Sequence, residues 1–232
     1  MPTRKIPTPG SDNPLLQPWT GPHGGMPPFG KVRLAHFEPA LEQGMADALA
    51  ALKRIGRQRK PATFENTIAA YERALLPLTR VEAVYGVWRG AKQTPGFQKL
   101  QRKMSPRLAA FADRITQDSA LFRRIEAVYK GRVKAGLTPE QKRLAWKLYR
   151  DFVRAGAELD AGAKKRMSAV NQELARLFTR FSQNVLADEN EQHLVLSGKR
   201  DLAGLPSSLV EAAAAEAKTR KLPGKWVIRN TR

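Results

Sequence analysis

Between residues 36 and 190 the apolar side chains recur at steps of three and four, the repeat of one face of an α-helix. The first such stretch runs from His36 to Ile55 and carries Leu41, Met45, Leu49 and Leu52, with Pro39 in its first turn, where a missing N–H costs nothing. Gly56 and the basic run to Lys60 stop it. Thr63 stands where it would cap a helix from Phe64 to Leu76. Pro77 has no donor and its ring crowds the preceding turn, so the pattern predicts a kink or split there. A further helix then carries Leu78, Val81, Val84, Tyr85 and Trp88.

Thr94-Pro95 opens the next helix, whose stripe is Phe97, Leu100, Met104, Leu108, Phe111 and Ile115; Pro106 inside it predicts a kink near Ser105. Asp118 caps a helix holding Leu121, Phe122, Ile125, Tyr129 and Val133, with Gly136 as its stop. Thr138-Pro139-Glu140-Gln141 reads as a capping box with proline at the first helical position, and it opens a helix bearing Leu144, Leu148, Phe152 and Ala155. The longest stripe follows Asp160: Met167, Val170, Leu174, Leu177, Phe178, Phe181 and Val185, with no Gly or Pro from Ala163 to Ala187. Such a helix of about 27 residues spans roughly 40 Å, the width of a domain. It is expected to be the element along which the other helices pack.

Past Asn190 the texture changes. His193 to Leu196 is a short strand, Leu209 to Thr219 an alanine-rich helix, and Lys225 to Arg229 a second strand. At the other end, Met1 to Gly30 holds eight prolines and five glycines and reads as an extended arm, pinned by Leu15, Leu16, Trp19 and Phe29. The expected fold is mostly α, with at least seven helices and two short β-strands near the C-terminus. The expected division is an arm over 1–30, a helical domain over 31–190 and a strand–helix–strand segment over 191–232.

Composition narrows the class. A chain of 232 residues, 42% hydrophobic and 27% charged, is long enough for one large globular core. It has no apolar run long enough to span a membrane. The absence of cysteine excludes disulfides, thiolate-held metals and thiol catalysis. The arm has no apolar core of the kind a secretory signal needs, and together these features argue for a cytoplasmic protein. Charge is the outlying quantity: 41 Lys and Arg against 21 Asp and Glu, a net of +20. The densest clusters are Lys53, Arg54, Arg57, Arg59 and Lys60; Lys164, Lys165 and Arg166; and Lys218, Arg220, Lys221 and Lys225. They are scattered and not interleaved with aromatics, so nucleic-acid binding is expected to be weak and non-specific. A second use for the charge is to face an acidic partner surface.

Candidate chemistry is sparse. The three histidines, His23, His36 and His193, include no pair four residues apart, so the helical H-E-x-x-H arrangement of a zinc peptidase is not written here. Each is better explained as a surface, capping or loop residue. Glu38, Glu65, Glu126, Glu158 and Glu173 are isolated carboxylates on helical faces. Asp188-Glu189-Asn190-Glu191 is an acidic cluster without the spacing and turn glycine of a calcium loop. Gly21, Gly24 and Gly25 lie in the arm with no strand-to-helix context for a phosphate, and Trp19, Trp88, Trp146 and Trp226 suit packing better than a ligand box. No catalytic, cofactor-binding or metal residue is assigned.

Four stretches, in order, resemble one family. They are Asn13-Pro14-Leu15-Leu16 through Phe29; Thr63-Phe64-Glu65-Asn66-Thr67-Ile68; Leu177-Phe178-Thr179-Arg180-Phe181-Ser182-Gln183-Asn184 through Asn190; and Gly224-Lys225-Trp226-Val227-Ile228. The chain is similar to the N-terminal third of the thimet oligopeptidase, peptidyl-dipeptidase and oligopeptidase A family of zinc metallopeptidases. The resemblance implies a helical lid and channel wall that admits short peptides, with zinc and the cutting machinery in a catalytic part absent here. It also implies that the family's chain runs on past Asn230 to Arg232, so a truncated gene or a split reading frame would look like this. The chain alone is expected to bind no zinc and to be inactive. The competing reading is a stand-alone basic helical module that binds nucleic acid or docks onto a separate catalytic chain.

Overall fold

A computed structural model describes residues 12–20 and 25–229. Expectations for Met1 to Ser11, for Gly21, His23 and Gly24, and for the stretch from Asn230 to Arg232 lie outside the described residues. The chain divides into two compact units, Met1–Arg176 and Leu177–Arg232. Seven α-helices follow in order: α1 Leu34–Gly56, α2 Ala70–Ala91, α3 Pro95–Thr116, α4 Ser119–Gly131, α5 Pro139–Arg154, α6 Ala161–Glu191 and α7 Ser207–Thr219. Strands β1 (His193–Leu196) and β2 (Trp226–Arg229) make one antiparallel pair. This is the mostly helical fold with two late strands that the periodicity predicts.

The first unit is built around α1. That helix buries Phe37, Ala40, Leu41, Gly44, Ala48, Leu52 and Ile55, one continuous face. Its first turn is closed by the Arg33 N–H, which donates to His36 Nδ1 at 3.1 Å. Gly44 lets α2 come close: a Cβ there would stand 3.0 Å from Leu78 Cδ1. Phe37 is fully buried and meets Tyr85, Trp88 and Phe97 edge-on, at centroid distances of 5.7, 5.0 and 5.9 Å. Such aromatic edges add about 0.5–1.5 kcal/mol each beyond the area they bury. The arm joins this core through buried Leu15 and partly buried Trp19, while Leu16 and Phe29 are exposed.

Three local expectations give way. Pro77 does not split the chain, and α2 runs through it from Ala70 to Ala91. Pro77 and Arg73, whose carbonyl it deprives of a donor, are both exposed, on the solvent side of the helix. Burial of Leu78, Val81 and Val84, worth ~1.5–3 kcal/mol each, outweighs the ~3 kcal/mol cost of the proline. Pro106 lies inside α3, within the stripe as read. The segment Phe64–Ala69, expected as ordinary helix, is a π-helical turn capped by Thr63. Helix α4 ends at Gly131, five residues before Gly136, leaving Val133 exposed in the turn.

Helix α6 departs furthest from expectation. Asp160 caps it as predicted, accepting from the Ala163 N–H at 2.8 Å, and it runs for 31 residues. Yet none of those residues is buried. It is not the element along which the others pack; α1 holds that place in the first unit. In the first unit Met167 packs beside Gly156, Asn171 Nδ2 donates to Asp113 Oδ1 at 2.7 Å, and Gln117 and Lys164 each donate to the other's carbonyl.

In the second unit β1 and β2 pair with His193 opposite Arg229 and Val195 opposite Val227. Helix α7 packs on this ribbon through Ala213 and Ala217, and Val227 is the buried strand residue.

Candidate functional site

The stretches that carry the family resemblance turn out to be joints of the scaffold. Thr63 and Asn66 cap each other: Asn66 N donates to Thr63 Oγ1 at 3.1 Å, and Thr63 N to Asn66 Oδ1 at 2.9 Å. Into this turn reaches Arg124 of α4, only 8% exposed. Its guanidinium donates to the carbonyls of Gln58 and Lys60 at 3.0 and 2.8 Å, to Asn66 Oδ1 at 2.8 Å and to Thr67 Oγ1 at 3.3 Å. These acceptors are neutral. One buried cation thus ties the α1–α2 connection to α4. At the arm, Asn13 Nδ2 donates to the His36 carbonyl at 2.9 Å, which seats Leu15 in the core.

The acidic cluster from Asp188 to Glu191 behaves in the same way. Asn190 is its working member: Arg220 of α7 donates to its carbonyl at 2.6 Å and Arg229 of β2 to its Oδ1 at 2.7 Å. Glu216 meets Arg220 at 2.7 Å and Arg229 at 3.9 Å. The end of α6, α7 and β2 are locked together by arginines whose acceptors lie within the unit. His193 belongs to this lock, with Arg220 at 3.3 Å from its Nδ1.

The isolated glutamates are committed to neighbours. Glu38 pairs with Lys103 and Arg107, Glu65 with Arg73, Glu126 with Lys130 and Glu173 with Arg176. Glu158 accepts from the Tyr149 hydroxyl at 3.5 Å. Among the described residues no three His, Asp or Glu side chains gather as a metal site. The described donors do not assemble the ligand set that the resemblance implies for the whole enzyme's zinc.

Within the first unit a cavity of about 350 Å³ opens between α2, α3 and α5, lined by Tyr71, Leu75, Thr116, Leu148, Asp151 and Phe152 among others. Burial, with the charges of Glu72 and Asp151 adding to it, pushes the Tyr71 phenol up to about 12, so it stays protonated at neutral pH. The hydrogen bond from Lys147, then that from Arg150, holds the Asp151 carboxyl below its ordinary value and ionised. The hydroxyls of Thr79 and Thr116 are spent on the Leu75 and Ala112 carbonyls of their own helices, each at 3.1 Å. The cavity offers shape and one phenolic donor, but no nucleophile beside a base. A second cavity of about 450 Å³ in the other unit is bordered by Lys218, Lys221, Lys225, Leu222 and Trp226.

The remaining feature is the outer face of α6. Val170, Leu174, Leu177, Phe178 and Phe181 are 42–65% exposed on one helical stripe.

No family model matches the chain. Among known proteins it is 33% identical, over 216 residues, to a dipeptidyl carboxypeptidase of Escherichia coli, a match covering 93% of this chain and 32% of that protein. It is 26% identical to oligopeptidase A of the same organism over 91% of this chain and 30% of that protein, and 25% identical to an organellar oligopeptidase A of Arabidopsis thaliana over 94% and 28%. These are relatives in the thimet oligopeptidase and peptidyl-dipeptidase family. The chain spans about a third of the length of the curated relatives it matches. Among the described residues no helix is long and apolar enough to cross a membrane.

Sequence reading of the family residues missed Arg124. The signal was present: Arg124 stands three residues after Leu121 and four before Val128, squarely on the buried face of α4. An arginine on an apolar stripe is a buried cation or an error in the stripe, and here it is the former.

Proposed function

We propose that this chain is the N-terminal helical portion of a cytoplasmic zinc-dependent oligopeptidase or peptidyl-dipeptidase. In this reading it shapes the wall and cover of a channel for short peptides and leaves hydrolysis to a catalytic part that the chain does not contain. The 191–232 segment leads into that part. The observation that carries the reading is the match of nearly the whole chain to one third of a dipeptidyl carboxypeptidase. The placement of the matching stretches supports it: Asn13, Thr63, Asn66 and Asn190 hold helices together rather than present reactive groups. A wall contributes to peptide cutting by exclusion, admitting extended chains and keeping folded ones out.

The test is a pair of assays. The purified chain, given a fluorogenic peptide with and without zinc, is expected to release nothing above buffer. A chimera in which this chain replaces the matching segment of the E. coli dipeptidyl carboxypeptidase is expected to cut the peptide and to lose activity to a chelator. Zinc-dependent hydrolysis by the chain alone, or a folded but inactive chimera, sinks the reading.

The competing reading, a nucleic-acid module, draws on the charge of +20. Two half-buried rings do not add to it. Trp146 already lies between the guanidinium groups of Arg143 and Arg150, at 4.4 and 4.3 Å, and Arg132 covers Tyr129 at 3.9 Å. Those ring faces are filled from the chain itself. Duplex DNA binding is expected to fall steeply between about 50 and 200 mM salt; sequence-selective binding at physiological salt would favour the module instead.

A further inference from the structure

We propose that the cavity of about 450 Å³ at the end of α7 binds a small organic phosphate, a monoester whose doubly charged head meets Lys218, Lys221 and Lys225 and whose flat apolar body lies against Leu222, Pro223 and Trp226. Such a site is separate from the wall and cover proposed above and stands or falls without them. The cavity lining holds no Asp or Glu, and among the described residues none of the three ammonium groups has a hydrogen-bond or ion-pair partner. The neighbouring arginines are spent, since Arg220 and Arg229 take Glu216 and Asn190. The C-terminal end of a helix presents about −0.5 of a charge, which leaves most of the charge of three lysines unanswered. Volume bounds the ligand: small-molecule sites run from about 300 to 1,000 Å³, room for a head and one ring but not for a polymer. A phosphate brings two negative charges and several acceptor oxygens to three ammonium donors, where a carboxylate brings one charge.

The turn that shapes the cavity points the same way. Lys221, at φ +59°, is the only described residue other than glycine with a positive φ. It closes α7: the Leu222 N–H donates to the Ala217 carbonyl at 2.9 Å and the Lys221 N–H to the Lys218 carbonyl at 3.1 Å, a helix end where glycine usually stands. Lysine there forgoes stability that glycine would supply, and it brings a third ammonium to the lining.

The test titrates the isolated chain with phenyl phosphate, inorganic phosphate and phenol by calorimetry at physiological salt. Phenyl phosphate is expected to bind one to one, about tenfold or more tighter than either fragment, because head and body meet different walls. Lys218→Gln/Lys225→Gln is expected to weaken it by about tenfold, the factor that one lost charge-assisted hydrogen bond carries. Lys53→Gln/Arg54→Gln, which removes the same charge from exposed positions of the first unit, is expected to leave it unchanged. Lys221→Gly is expected to raise the melting temperature and weaken binding together. Inorganic phosphate binding as tightly as phenyl phosphate would reduce the cavity to bare charge, and phenol binding as tightly would reduce it to an apolar hollow. Equal weakening by the two double substitutions would reduce binding to net charge. Each of these overturns the site, as does a chain that takes up no phenyl phosphate at millimolar concentration. A Lys221→Gly chain that gains stability with its affinity unmoved overturns it as well.

Discussion

Helices α1 and α6 carry the same kind of stripe and meet opposite fates. Helix α1 has 23 residues and buries seven of them, whereas α6 has 31 and buries none. Periodicity reports that a helix has an apolar side; it does not report what lies against that side. In α1 the partner is nearby in the chain, where α2 closes over Gly44 and Leu78 and α3 brings Phe97 to Phe37. For α6 no residue is fully covered: Met167 is half-buried beside Gly156, while Val170, Leu174, Leu177, Phe178 and Phe181 are exposed. Its length, well beyond the 12–15 residues at which an isolated helix is marginal, and its aspartate cap let it stand so exposed.

The sharpest way to break this contrast is to delete the same side chain from both. Phe37→Ala, at the centre of the α1 aromatic cluster, is expected to cost about 3–5 kcal/mol in urea unfolding of the isolated chain. Phe178→Ala on α6 is expected to fall within about 0.5 kcal/mol of the parent. Equal losses at the two sites would mean that α6 is covered after all.

Arg124 gives the next largest effect. Arg124→Met keeps the apolar stem and removes the donors, leaving the Gln58 and Lys60 carbonyls, Asn66 and Thr67 without it. Gln58 and Lys60 are exposed and Asn66 Oδ1 keeps the Thr63 N–H and the Thr67 hydroxyl, so a net loss of about 1–3 kcal/mol is expected. The exposed Glu65–Arg73 pair one turn away is the control, where Glu65→Ala is expected to cost no more than about 1 kcal/mol. A small loss at Arg124 would mean that α1 alone, not this joint, organises the unit.

These cases show what was legible in the residues. Starts were legible where a capping side chain fixes them: Thr94, Asp118, Thr138 and Asp160 all cap as read, because the signal is local. The late strands were legible because β-rich runs there break the helical repeat. That the helix continues through Pro77 was not legible because the proline's penalty is local, while the burial that overrides a split comes from the opposing helix. The role of α6 was misread because length was taken for centrality. Candidate chemistry gave no site to place, and the resemblance could be followed only to residues that join helices.

Alkaline pH separates the two regions by titration. Burial raises the phenols of Tyr71 and Tyr85, both in the first unit, to about 12, above the unperturbed value near 10. Between those values the unfolded chain gives up protons that the folded chain keeps. Their contribution is therefore whole below about pH 10 and is lost as pH rises toward 12. Stability of the isolated chain is expected to decline across that window. Tyr71→Phe is expected to flatten the decline, and a profile unchanged by that substitution would remove Tyr71 as the cause.

A smaller effect probes what holds α6 to α3. Asn171→Ala takes the donor from Asp113 Oδ1, in a carboxylate only 6% exposed whose other oxygen has no partner. A loss of about 1–3 kcal/mol is expected, and Asp113→Asn in the same background is expected to restore part of it by removing the buried charge. Failure of that rescue would mean that the contact matters for shape rather than charge.

The smallest expected effect is at Asp160. Its carboxylate accepts from the Ala163 N–H at the start of α6. Asp160→Ala is expected to cost ~1 kcal/mol, the usual worth of such a cap. For a helix seated in a core, that loss lowers the whole unfolding transition. A helix held by polar ties frays instead: hydrogen exchange should quicken in the first turns of α6 while α1 stays protected. Exchange that quickens equally in α1 and α6 would show that the two unfold as one, and the contrast between them would then be one of exposure, not of stability.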